Sequence, residues 1–388
     1  MTTGSLQIKY DKYYMVINTY DRDGKRKQKW ISTGLAVRGN KKRAEKLLRE
    51  QLREYEQLEC LIKTDMLFSD AIRHWLKKIA LTVDETTLQG YEILAETQIL
   101  PYFEDNKIRL IDVTRQVLQA YIDDKHQNGR RDGKGGLSPR TLRLHKNILN
   151  QTLNEAIKNG YILTNPCDMV ILPPLQRYES NYYNAEQINA LLEAIREETL
   201  YPLIKFTVVY GLRRSEVLGL KWDSVDLENE LVTIRHTVTK VTRTVEKNKT
   251  KNATSHRSFP LLPELKTMLL ELSKKEEENK RVFAGVYNDC QYIFKWDNGR
   301  PFSPDYVSRK FKNLLKKHDL PRIRFHELRH SCASFLINKG FALKDVQEWL
   351  GHSDIKITAN IYGHLDVARK KSMANTFSSH IASEAGAC

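Results

Sequence analysis

Four short segments, far apart along the chain, restrict the fold more than any other feature. They are Tyr210-Gly211-Leu212-Arg213-Arg214-Ser215-Glu216, His326-Glu327-Leu328-Arg329-His330, Leu350-Gly351-His352 and Ile361-Tyr362-Gly363-His364. Guanidinium, imidazole and phenol groups are collected in them, and a fold that uses them together must bring the polypeptide back to Arg213 after a long excursion. His326 and Arg329 stand at i and i+3, so a helix presents both to one side. Arg213 follows Tyr210-Gly211 at the start of a predicted helix, whose first amides favour an anion. Tyr362 follows His352 by ten residues, enough for a turn and a short helix to join them at one place.

At 388 residues the chain has room for two or three domains, each with its own core. Its 40% hydrophobic and 29% charged residues are ordinary for a soluble protein. No apolar run approaches the ~20 residues of a membrane span, and the first residues lack a signal peptide's apolar core, so no membrane association is expected. The five cysteines are scattered without a Cys-x-x-Cys pair, which argues against disulfides or a cysteine zinc site and for a reducing cytoplasm. A net charge of +15 makes a polyanion a natural partner. Residues 22–49 hold 11 Lys/Arg against 2 Asp/Glu, residues 235–257 hold 7 against 1, and residues 306–330 hold 8 against 2. Any one cluster is readily a solvated face; three of them favour a long nucleic-acid track.

The periodicity predicts a multidomain, mainly α protein with small β parts. Leu6 to Tyr10, Tyr13 to Tyr20 and Lys27 to Thr33 read as strands, with a turn at Asp21-Arg22-Asp23-Gly24, and a charged helix runs from Lys41 to about Leu61. This gives a small three-stranded β plus helix domain over 1–62. A four-helix domain is expected over 63–172. Its first helix is capped by Ser69 or Asp70, its second by Asp84, its third covers 114–128, and its fourth starts at Ser138-Pro139 and stops at Asn159-Gly160. Residues 173–183 read as a linker. The remainder, 184–388, is expected to be α-rich, with helices at 184–195, 199–211, 214–220, 263–280, 304–318, 326–338 and 343–350. Leu231 to Thr237, Val241 to Glu246 and Arg257 to Leu261 are expected to form one three-stranded antiparallel sheet.

The four segments suit one chemistry. A tyrosine attacking a phosphodiester builds charge on the non-bridging oxygens, which two forked arginines can receive. Its phenol, with an ordinary pKa near ~10, needs a base or a strong positive field, and the leaving 5′ oxygen needs a proton. A covalent phosphotyrosine conserves the bond energy, so neither metal nor ATP is required.

In these segments, their order and their spacing, the chain resembles the tyrosine recombinases, or phage-type integrases. Within that resemblance the four-helix block, ending in Ala156-Ile157-Lys158-Asn159-Gly160 and Asn165-Pro166, corresponds to a core-site DNA-binding domain. Residues 1–62 correspond to the arm-binding domain of integrases from phages and conjugative transposons, and 184–388 to the catalytic domain with a C-terminal tail. The resemblance implies that Arg213 and Arg329 clamp the scissile phosphate, that His326 acts on the tyrosine proton, that His352 bonds the phosphate and that Tyr362 is the nucleophile. Glu216 supports the first arginine. The family's β-hairpin lysine corresponds to Lys249, with Lys247 and Lys251 two residues away on the same strand face; Arg213 rather than Arg214 fits Gly-x-Arg-x-x-Glu. It further implies no cofactor, core and arm attachment sites in double-stranded DNA, a homotetramer on that DNA, and an excisionase or host DNA-bending factor as accessory partner.

Three other readings compete. His326-Glu327-Leu328-Arg329-His330 is literally H-E-x-x-H, a zinc-protease helix. Against it, Arg329 would put a fixed charge beside the metal, and Ala333 stands where the extended motif has glycine; Glu348 would be a distant third ligand. A non-catalytic DNA-binding regulator explains the charge but not six catalytic-type positions filled at once. A type IB topoisomerase shares the chemistry, but the separate N-terminal domain favours a recombinase.

Overall fold

The computed structural model describes residues 3–20, 26–59, 61–175, 181–240, 244–247, 257–355 and 374–375. The chain divides into two units, Met1–Arg177 and Tyr178–Cys388. The first begins with strands β1 (Thr3–Lys9), β2 (Lys12–Tyr20) and β3 (Arg26–Ala36), paired antiparallel in that order. Tyr10 and Asp11, both at positive φ, make the two-residue turn between β1 and β2, so the first strand stops one residue short of Tyr10. Alternation puts Tyr13, Met15 and Ile17 on one buried face of β2. Helix α1 (Lys41–Glu59) packs on β1: a Cβ on Gly4 would come within 3.0 Å of Leu48 and 3.1 Å of Leu52. The expected turn at 21–24 lies outside the described residues.

The helical part of this unit holds α2 (Phe68–Ile79), α3 (Glu85–Leu94), α4 (Leu100–Asp105), α5 (Arg115–Asn128) and α6 (Pro139–Lys158). Neither Ser69 nor Asp70 caps α2. Leu67 is the N-cap: it pairs with Arg109, and Phe68 N donates to Ile108 O, which starts the helix earlier and buries Phe68. The second predicted helix is longer than expected, because a π-helical turn at Ala95–Ile99 carries α3 into α4 at Pro101. Thr114 and Ser138 cap α5 and α6, accepting from Val117 N and Thr141 N. Phe68, Trp75, Phe103, Leu118, Leu149 and Leu153 lie in the shared core, with Phe68 edge-on to Phe103.

One polar pair is sealed into that core. The ring of His145 is wholly buried, Nδ1 lies 2.8 Å from Tyr121 Oη, and Nε2 has no partner among the described residues. Burial, then the Lys125 charge, lowers its pKa to about 4. The unfolded chain therefore takes up this proton first. Stability is full above the ordinary histidine pKa and falls as pH drops from roughly 6.5 towards 4, by up to about 3 kcal/mol. Urea unfolding of the wild type and H145Q at roughly pH 7.5 and 5 is expected to show the smaller acid loss in H145Q. Equal losses would remove His145 as a cause.

The second unit carries α7 (Ala185–Ala194), α8 (Tyr201–Tyr210), α9 (Arg214–Leu218), β4 (Val225–Asp226), β5 (Leu231–Ile234), β6 (Thr237–Lys240), β7 (Thr244–Lys247), β8 (Arg257–Pro260), α10 (Pro263–Phe283), α11 (Pro304–Lys317), α12 (Glu327–Asn338) and α13 (Leu343–Leu350). Tyr183 is buried here: its N–H donates to Ser331 Oγ and its hydroxyl to Pro321 O. The expected helices are present. A three-stranded antiparallel sheet is present as expected, but its strands differ from those expected, because the run Leu231 to Thr237 breaks at Arg235-His236. His236 turns inward to bond Tyr292 Oη at 2.8 Å, and its carbonyl crowds Gly219, where a Cβ would meet it at 2.3 Å. Two sheets result, β4-β5-β8 and β6-β7, both antiparallel. The core gathers Leu203, Ile204, Phe206 and Tyr210 of α8, Phe259 of β8 and Leu328 of α12.

Candidate active site

Helix α8 ends where α12 and α13 meet it. Gly211 closes α8 in the left-handed region at φ 61°, and a Cβ there would strike Leu350 Cδ2 at 2.3 Å. Only glycine suits both demands. Gly351 ends α13 in the same conformation at φ 65°. The two turns aim carbonyls at arginines: Gly211 O accepts from Arg329 Nη1 at 2.8 Å, and Gly351 O accepts from Arg213 Nη2 at 2.8 Å.

Glu216 stands at the centre, 1% exposed. Oε1 accepts from Arg213 Nη1 at 2.5 Å; Oε2 accepts from Arg213 N at 2.9 Å and Arg257 Nη2 at 3.0 Å. Arg329 Nη1 lies 3.8 Å from the same Oε2. Burial would raise this carboxyl, but Arg257, then Arg213 and Arg329, outweigh it and hold the group at about 2. Arg213 and Arg329, remote in sequence, thus meet on one carboxylate. Arg329 is 0% exposed; burial and the Arg213 charge bring its pKa to about 9, leaving it cationic at neutral pH. The Arg213 side chain is the more open of the two, 27% exposed.

His352 is buried beside them. Its Nε2 accepts from Arg329 Nε at 3.2 Å, so the neutral ring carries its proton on Nδ1. Burial, then Arg329 and Arg213, lowers its pKa to about 3. His326 is the N-cap residue of α12 and exposed, whereas Arg329 three residues on is enclosed, so the two differ more than helical spacing suggests. The packed side of the His326 ring, edge-on to His330 at 5.1 Å, loses solvation; with His330, Arg329, Arg213 and Arg324 nearby its pKa falls to about 4. Next to Arg213 and His326 opens a cavity of about 590 Å3 whose lining includes Arg214, Lys312, Arg322 and Arg324. Arg214 turns away from Glu216 and donates to Pro304 O at 3.2 Å. Lys249, Lys251 and Tyr362 lie outside the described residues; Lys247 ends β7.

The zinc-protease geometry is not formed. Glu327 accepts from the backbone N–H, Nε and Nη2 of Arg324, which occupies the would-be general base. Glu348 pairs with Lys344 at 3.4 Å on an exposed helix face. Among the described residues no three His, Cys, Asp or Glu side chains are placed to hold a metal ion.

The sequence did not single out Arg257. It reads as an ordinary cation opening a strand; the nearest signal is its position at the end of the basic run 235–257.

Residues 181–369 match the phage integrase family, and residues 67–126 match the N-terminal SAM-like domain of phage integrases. A XerC-like tyrosine recombinase of Caldanaerobacter subterraneus is 31% identical over 67% of this chain and 69% of its own length. The ICEBs1 integrase of Bacillus subtilis is 26% identical over 87% and 90%. Among solved structures, the Tn1549 transposon integrase in complex with circular intermediate DNA aligns with a TM-score of 0.65 at 21% identity, over 80% of this chain and 99% of that one. A λ integrase dimer bound to a core site aligns with a TM-score of 0.58 at 18% identity, over 93% and 96%.

Proposed function

The chain belongs to the phage integrase family of tyrosine recombinases and is a site-specific DNA integrase, and on that premise we propose the part each residue plays. The observation that carries the assignment is the meeting of Arg213 and Arg329 on Glu216 with His352 alongside. Arg213 and Arg329 receive the non-bridging oxygens of the scissile phosphate, and His352 donates to it from Nδ1. Tyr362 Oη attacks phosphorus as the bond to the 5′ oxygen breaks. The phenolic proton passes to His326, which loss of solvation and then its cationic surroundings keep neutral at physiological pH; the bound phosphate offsets those charges and makes the ring a better base. Lys249 protonates the leaving oxygen. The product is a 3′-phosphotyrosyl link and a free 5′ hydroxyl, which attacks the partner duplex; a second round resolves the four-way junction.

Residues 1–62, 63–172 and 184–388 take the arm-binding, core-binding and catalytic roles, joined by a linker at 173–183. Exposed Arg26, Gln28 and Trp30, on one side of β3, give the first of these a face for arm DNA. λ integrase occurs as a dimer on a core site and as a tetramer on a Holliday junction, which supports a tetramer here; we further propose that an excisionase or DNA-bending factor sets direction. No described helix is long and apolar enough to cross a membrane.

A nicked suicide substrate carrying an attachment site tests the assignment: a covalent protein–DNA adduct at the 3′ phosphate is expected, and its absence with bound DNA would overturn it. Deleting residues 1–60 is expected to leave core-site cleavage within a few-fold of wild type while directional integration collapses. Unchanged integration would remove the arm role.

A further inference from the structure

We propose that Arg257 is a positioning residue for strand cleavage, acting through Glu216 and the α13 terminus; this rests on the recombinase reading. Arg257 opens β8, and its side chain is only 9% exposed. Nη2 and Nη1 donate to Glu216 Oε2 and Oε1 at 3.0 and 3.4 Å, Nε donates to Trp349 O at 2.9 Å, and the guanidinium carbon lies 5.3 Å from the Phe259 ring centre.

Those contacts complete a series. Trp349 O accepts from Arg257, Leu350 O from Arg329, Gly351 O from Arg213 and His352 Nε2 from Arg329, so four consecutive residues are each held by an arginine. Arg257 thereby sets the segment carrying His352, and it directly follows the stretch that contains Lys249 in sequence.

The second effect is charge. Three guanidinium groups surround one carboxylate, leaving a net charge of +2 beside the phosphate seat. The phosphodiester is a monoanion, and the five-coordinate arrangement it passes through is a dianion. Without Arg257 the cluster falls to +1, and Glu216 draws harder on Arg213 and Arg329.

The test compares cleavage of a normal suicide substrate with one bearing a neutral methylphosphonate at the scissile position, at saturating DNA. Arg257→Met is expected to lose roughly 10- to 100-fold on the phosphate but only a few-fold on the methylphosphonate, with core-site affinity near wild type. Arg257→Lys keeps the charge but loses the fork, and should fall between. Should Arg257→Met fail to fold, the same ratio is read from Arg257→Gln, which also removes the charge but keeps a polar group beside Glu216. Equal losses on both substrates, or a loss confined to DNA affinity, would overturn the proposal. Wild type forming no adduct would instead overturn the recombinase assignment.

Discussion

Tyr362→Phe is expected to bind core DNA as the wild type does and to form no covalent adduct on a nicked substrate. The substitution removes one oxygen. Cleavage should fall by roughly 10^4-fold or more, the scale on which a covalent enzyme responds to loss of its nucleophile. The imidazole of His352 is held by Arg329 beside Glu216, and Tyr362 follows it by ten residues in a chain with 18 tyrosines. Denaturing gels report the adduct directly, and a gel shift reports binding. An adduct persisting in Tyr362→Phe would assign the attack to another residue.

Glu216→Gln is expected to damage stability and cleavage together. The amide fills the same space, but it leaves Arg213, Arg257 and Arg329 facing one another with no anion between them. Removing one partner from a buried ion cluster costs about 3–5 kcal/mol. The depressed pKa of Glu216 gives a similar figure: about 2 when folded against an ordinary 4.5. Such a shift contributes about 3 kcal/mol, present above pH ~4.5 and lost as pH falls towards 2. For a unit of this size the midpoint of thermal unfolding should drop by roughly 6–12 °C at neutral pH. The variant should also lack the wild type's loss of stability through the carboxyl's own acid range. A variant melting with wild type at pH 7 would mean that the arginines are held apart by something other than this carboxylate.

The elements that the sequence made legible carry their signals locally. Ser138-Pro139 announces α6, Gly211 and Gly351 end α8 and α13, and hydrophobic periodicity finds the remaining helices. The cluster around Glu216 was legible because its chemistry demands particular side chains at particular spacings. The π-helical turn ahead of Pro101 and the break at His236 were not, since each depends on what the chain meets in space. His236 leaves its strand to reach Tyr292, 56 residues on. Arg257 was missed for the same reason: its partners, Glu216 and Trp349, come from two other elements.

A helix concentrates negative potential at its C-terminal end. In the proposed assignment helix α13 points that end at the seat of the scissile phosphate, an orientation that by itself would push DNA away. Capping its last carbonyls with guanidinium groups reverses the sign of the local field. A terminus that ought to repel becomes a landing point, and its strength should weaken with added salt far less than that of the exposed lysines, because two of the capping charges, Arg257 and Arg329, are shielded from counterions by protein.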